Sequence, residues 1–129
     1  MSDLLPPEDE LTAPWWAGTR SHQLLLQTCL DCGHRQHHPR HLCLVCRGMN
    51  LGYTEATGHG VVDTFTAVHR SPRADLEVPY TVARVRLAEG PVMLSTLVGD
   101  GDWQIGDEVR VDFRDLSDGR ALPVFRRVK

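Results

Sequence analysis

The sequence predicts a mostly β chain: a short N-terminal helix, a metal-tied ribbon, then a small barrel. Three observations predict it. All four cysteines of the 129-residue chain fall in two Cys-x-x-Cys pairs, Cys29/Cys32 and Cys43/Cys46. Beyond Gly58, apolar and polar residues alternate with period two in short runs bounded by Gly, Pro and Asp, the pattern of half-buried strands. Hydrophobic residues make up 41% and charged residues 24%, an ordinary globular mix with room for one compact core or a small core plus a metal-tied appendage.

Residues 1–12 are acidic, contain prolines and lack a period, so they are expected as a mobile tail. The segment 13–52 then carries the helix and the ribbon. Pro14 suits a first helical turn and Thr12 a cap, which predicts a short helix through Trp15-Trp16-Ala17-Gly18-Thr19-Arg20, weakened by Gly18. Two adjacent tryptophans do not both fit one small core. One ring is expected inside and the other half-exposed, as packing or as a partner contact. Residues 22–28 read as a strand leading to Cys29.

Residues 53–129 are assigned to the barrel. The expected strands are Val61 to Val68, Tyr80 to Leu87, Val92 to Val98, Val109 to Phe113 and Ala121 to Val128. In the second, Ala83, Val85 and Leu87 alternate with Arg84 and Arg86. Five strands over about 70 residues suit a small closed barrel, with a five-stranded OB-fold ahead of an SH3-like barrel.

The cysteine spacing carries the chemistry. Two residues between thiols let a tight turn aim both sulfurs at one ion, and a second such turn completes a tetrahedral sulfur site. Gly33 and Gly48, just past each pair, allow the positive φ that such turns require. Two disulfides need an oxidising compartment, and a redox dithiol needs one pair only. A metal site formed by Cys29, Cys32, Cys43 and Cys46 is therefore expected, with zinc ahead of iron and a structural role. Leu30, Leu42, Leu44 and Val45 are too few for a core of their own, so the metal must supply folding energy. His34, His37, His38 and His41 are read as a polar loop beside the thiols.

Composition narrows the function. Four of the seventeen acids lie in the first ten residues, leaving fourteen basic against thirteen acidic side chains in the rest. The only lysine is Lys129. A phosphate-gripping nucleic-acid surface needs a clear basic excess. No apolar run approaches the roughly 18 residues of a membrane helix, and the first residues lack the pattern of a secretory signal, so a cytoplasmic setting is expected. There is no nucleophile elbow, phosphate loop or His-Glu-x-x-His motif, and metal binding would occupy every thiol.

The order of landmarks resembles a known family. Trp15-Trp16, Leu24 through Gly33, Pro39-Arg40, Cys43-Leu44-Val45-Cys46, Gly58-His59-Gly60-Val61-Val62, Pro79-Tyr80, Ile105-Gly106-Asp107-Glu108-Val109 and Leu122-Pro123-Val124-Phe125 are similar to those of small proteins joining a rubredoxin-like zinc ribbon to an OB-fold. The resemblance runs from about residue 14 to 127. One departure stands in the ribbon: the family commonly has an aromatic residue before Pro-Pro-Arg, whereas this chain has His37-His38-Pro39-Arg40.

Membership would imply a non-catalytic accessory subunit of acyl-CoA metabolism, partnered with a thiolase-like protein, a lipid-transfer-protein-like aldolase or a MaoC-like hydratase, in steroid or lipid side-chain degradation. The partner would hold the catalytic groups, and acyl-CoA could lie at the shared interface. Trp15, Trp16, Arg40, Arg70, Arg73 and the 69–79 loop are then candidate ligand or partner contacts. The alternative reading is a nucleic-acid-binding zinc-ribbon/OB module.

Overall fold

The computed structural model describes residues 6–70, 78–99 and 102–128. Among these described residues one helix and eight strands follow in order: α1 (Ala13–Arg20), β1 (Leu25–Cys29), β2 (Arg35–Gln36), β3 (Leu51–Glu55), β4 (His59–Val68), β5 (Tyr80–Leu87), β6 (Val92–Val98), β7 (Glu108–Asp115) and β8 (Ala121–Arg127). The first three strands form a sheet ordered β2-β1-β3, and the last five close a barrel ordered β4-β5-β6-β8-β7. That closed five-stranded order is an OB-fold.

Alternation sets the barrel's inside. Ala83, Val85 and Leu87 are buried, while Arg84 and Arg86 between them are exposed. Val62, Met93, Leu97, Val109 and Phe125 complete the interior. β4 pairs with β5 over Gly60–Val68 and with β7 over His59–Val61, so it crosses the barrel corner. A bulge between Val62 and Thr64 leaves Asp63 out of the ladder, facing Arg86 at 3.4 Å and Arg84 at 3.7 Å. Closure comes from a parallel pairing of β6 with β8 at only two positions, Leu97 with Phe125 and Val98 with Arg126.

Three expectations change. Thr12 is the residue before the helix, but its side chain does not cap it. Instead Asp9 accepts the Thr12 N–H at 2.9 Å, and its carbonyl accepts from Ala13. Both tryptophans are buried, each 7% exposed, so neither presents a half-exposed ring. Their rings meet edge to face at 4.8 Å. They both fit because the barrel supplies a second wall. Trp16 packs under Arg120 of the β7–β8 turn, and Trp15 lies against His37 of the ribbon. Finally, the second cysteine turn places its positive φ at Arg47 (66°), not at Gly48.

The helix is bolted to β8. Thr19 Oγ1 donates to Trp16 O at 2.6 Å and accepts the Ala121 N–H at 3.1 Å. Arg20 donates to Asp118 O at 2.9 Å, and His22 Nε2 meets Asp115 Oδ1 at 2.7 Å with its ring stacked on Phe113. Trp15, Trp16, Leu24 and Leu26 consequently join Val62, Val85 and Phe125 in one continuous core. Residues 1–5 of the expected tail lie outside the described residues. From Pro6 onward the segment touches the barrel, where Arg120 donates to Pro6 O at 2.9 Å and faces Glu8 at 3.5 Å.

Candidate metal centre

The ribbon brings the four thiols together, with all sulfurs within 4.8 Å of one another. They pair crosswise: Cys29 with Cys46 and Cys32 with Cys43, each at 3.6 Å. Those separations are far beyond a disulfide bond and close to the ~3.8 Å edge of a tetrahedron with 2.3 Å metal–sulfur bonds. The donor set thus fits a tetrahedral thiophilic ion. Cys29 and Cys43 are buried, Cys32 and Cys46 exposed.

Backbone N–H groups are aimed at the sulfurs. Cys29 accepts from the Cys32 N–H at 3.4 Å, Cys43 from Val45 at 3.4 Å and Cys46 at 3.5 Å, and Cys46 from Gly48 at 3.4 Å. The Cys32 N–H lowers the Cys29 thiol pKa. The Cys46 N–H, opposed by burial and helped by Val45, lowers Cys43 to about 7. Against the pull of the His34 N–H, burial and the neighbouring thiols push Cys32 up to about 12, and Cys46 is also raised. Four thiolates this close are held together only by a cation between them, and that is how a metal deprotonates such a set. Glycines serve this geometry in two ways. Gly33 has φ 82°, and a Cβ at Gly48 would stand 3.3 Å from Cys46 Sγ.

A buried glutamine pair, which sequence reasoning missed, holds the second cysteine turn in place. Gln36 Nε2 donates to Gln27 Oε1 at 2.7 Å and to Leu42 O at 3.1 Å, while its Oε1 accepts the Leu44 N–H at 3.1 Å. Gln27 clamps Arg40 through both backbone groups, accepting its N–H and donating to its carbonyl, each at 2.8 Å. Gln27 and Gln36 face each other on β1 and β2. No local signal marks them, because Gln27 follows three leucines and its place appears only when β1 is paired with β2.

The other candidate contacts scatter. The Arg40 side chain is exposed and borders a cleft of about 320 Å³ with Pro14, Gln27, His41 and Tyr53. Arg70 is exposed just past β4, in the barrel rather than the ribbon. Arg73 and most of the 69–79 loop lie outside the described residues. The loop histidines do not join the metal cluster among the described residues. His37 is half-buried, and burial, with His38 adding to it, lowers its pKa to about 4. Around the thiols the surface is apolar: Leu30, Leu44, Val45 and Met49 are all more than half exposed.

Comparison with known proteins assigns the two parts. Residues 16–52 match the ChsH2 rubredoxin-like zinc ribbon domain, and residues 53–114 the ChsH2 C-terminal OB-fold domain. The chain is similar to the probable enoyl-CoA hydratase alpha subunit of Thermomonospora curvata, 32% identical over 87% of this chain and 36% of that protein. It is similar to the 3-oxo-4,17-pregnadiene-20-carboxyl-CoA hydratase alpha subunit of Mycobacterium tuberculosis, 32% identical over 88% of this chain and 37% of that one. It thus spans little more than a third of these two relatives. A DUF35 domain-containing scaffold protein of Pyrococcus furiosus is 31% identical over 76% of this chain and 73% of its own length. Among solved structures, a chain of the Ltp2-ChsH2(DUF35) aldolase superposes with TM-score 0.89 and 31% identity, covering 95% of this chain and 98% of that one. Four converging thiols, a five-stranded barrel and these similarities along nearly the whole chain place it in the DUF35 family of ChsH2-type zinc-ribbon and OB-fold proteins.

Proposed function

We propose that the chain is a non-catalytic accessory subunit of a thiolase-like aldolase acting on acyl-CoA thioesters, in steroid or lipid side-chain degradation. The observation that carries this reading is the near full-length similarity to the DUF35 chain of an aldolase named for two components, Ltp2 and ChsH2. The hydratase alpha subunit names of two relatives favour a hydratase as the second candidate partner. Zinc is the proposed ion. Four protein thiolates fill a tetrahedral sphere and leave no position for a reactive water, so the metal's role is structural. The chain's own residues would shape and present surface. Leu30, Leu44, Val45 and Met49 offer apolar contact area around the metal, and Arg40, Arg70 and Arg73 remain the proposed polar contacts to CoA phosphates or partner carboxylates. Trp15 and Trp16 would act from inside, by fixing the ribbon against the barrel. Four cysteines held without a disulfide suit the reducing cytoplasm, and no helix among the described residues is long and apolar enough to cross a membrane.

The test is co-expression with the thiolase-like protein of the same host, followed by size-exclusion chromatography, native mass spectrometry and metal analysis. A stoichiometric complex containing one zinc per chain is expected, with aldol cleavage lost when this subunit is omitted. Val45→Asp should weaken the complex while leaving the zinc content unchanged. A chain that elutes alone, or that retains nucleic acid near physiological salt, would sink the reading.

A further inference from the structure

We propose that the seam of the barrel carries an anion site for a phosphate-bearing small molecule, built on Arg110, Arg126, Arg127 and His59. The strand register assembles it. His59 on β4 lies opposite Arg110 on β7, and Arg110 lies opposite Arg126 on β8. Three basic side chains thus form one lateral row across three adjacent strands. Val98 of β6 continues the row beside Arg126.

Directly opposed like charges on neighbouring strands destabilise a sheet. The cost is offset for Arg126, which pairs with Asp112 on β7. It is not offset for Arg110, which has no ion-pair partner among the described residues. The row borders a cleft of about 620 Å³ that also takes in Arg127, Val98 and Val128, and among the described residues no acidic side chain lines it. Arg127 is held beside the cleft by its stack on Trp103 at 4.3 Å and its contact with Asp107 at 3.3 Å. The volume lies within the usual range of small-molecule sites, roughly 300–1,000 Å³. Planar guanidinium forks match phosphate oxygens two at a time. The two valines give a flanking organic group somewhere to rest. A cleft lined by three arginines and a histidine, with Asp112 and Asp107 engaged behind two of them, suits a small organic phosphate better than the flat acidic patch of a protein.

The site is independent of the accessory-subunit reading, because it can be tested on the full chain alone. The probe is pyrophosphate, with inorganic phosphate, acetate and poly-glutamate titrated in parallel. Calorimetry and the arginine Nε–H resonances report binding. Saturable pyrophosphate binding that moves the Arg110 and Arg126 signals is expected, with phosphate weaker and acetate without effect. Arg110→Gln should weaken binding roughly tenfold, the loss of one charge-assisted hydrogen bond. Arg84→Gln, in the Asp63 cluster, should leave it unchanged. Arg110 is exposed, and an unchanged amide spectrum checks that the variant folds. No saturation, equal affinity in Arg110→Gln, or tighter binding of poly-glutamate than of pyrophosphate would overturn the proposal.

Discussion

The Arg120 guanidinium stands 4.6 Å above the Trp16 ring, and its side chain is only 4% exposed. Asp118 takes its Nε–H at 2.6 Å, and Glu8 faces it at 3.5 Å. One cation thus joins the N-terminal segment, the helix and the β7–β8 turn. Arg120→Ala is expected to destabilise the fold by about 2–4 kcal/mol, since it removes a buried, stacked cation and leaves its part-exposed carboxylate partners unpaired. Urea unfolding measures this. A double-mutant cycle with Trp16→Leu should return a coupling of about 1 kcal/mol.

Removing the metal should loosen the ribbon before the barrel. Cys43→Ser, or a strong chelator, is expected to abolish metal binding and redshift the emission of Trp15 and Trp16. Amide exchange at Val85 and Phe125 should stay slow, because none of the five barrel strands carries a metal ligand. Metal analysis with exchange measured by NMR would check both halves of this expectation.

The glutamine pair should matter to the metal without touching it. Gln36→Leu removes the donor to Gln27 and the acceptor of the Leu44 N–H. Buried groups left unmatched cost about 1–3 kcal/mol each. Metal affinity in a competition titration should fall at least tenfold, a result in line with other changes behind metal ligands. Gln27→Ala, which frees both backbone groups of Arg40, should fall further.

Gly58 has φ 89°, and a Cβ there would lie 2.5 Å from Val111 Cγ1. Gly58→Ala therefore combines backbone strain with overpacking and should cost about 2–4 kcal/mol in thermal or urea unfolding. A Gly90→Ala control has a positive φ (115°) but open space, so it should lose distinctly less.

Acid should weaken the fold through its carboxylates. The Arg126 side chain, helped by the Phe113 N–H, holds Asp112 below its ordinary value. Asp118 is lowered too: burial opposes, but the Arg120 N–H and guanidinium outweigh it. A lowered folded-state pKa stabilises the protein above the unfolded value of about 3.9 and loses that contribution as pH falls through the folded value. Stability should hold above roughly pH 4 and decline below it. In Asp112→Asn the decline measured by pH-dependent urea unfolding should be shallower.

The parts legible in the sequence are those whose signal is local. Cys-x-x-Cys turns announce themselves by spacing, and β5 by the alternation of Ala83, Val85 and Leu87 with two arginines. Features that depend on distant chain were hidden. The fate of Trp16 was set by Arg120, about a hundred residues away. β3 has no alternation of its own and exists because it pairs along all of β1 across the metal loop. Gln27 and Gln36 look like surface residues until their strands are paired. The positive φ at Arg47 went unseen because the neighbouring Gly48 is there for close approach to a sulfur.

Only residues 56–58 separate β3 from β4, and both ends of that passage are pinned. Ala56 N–H donates to Leu24 O at 2.8 Å, and Gly58 O accepts from Val111 N–H at 2.7 Å. With the helix fastened to β8 as well, the link has no free joint. Ribbon and barrel therefore behave as a single lever. A push at the cysteine end arrives at the opposite end as rotation of the whole body, with no swivel between them to absorb it.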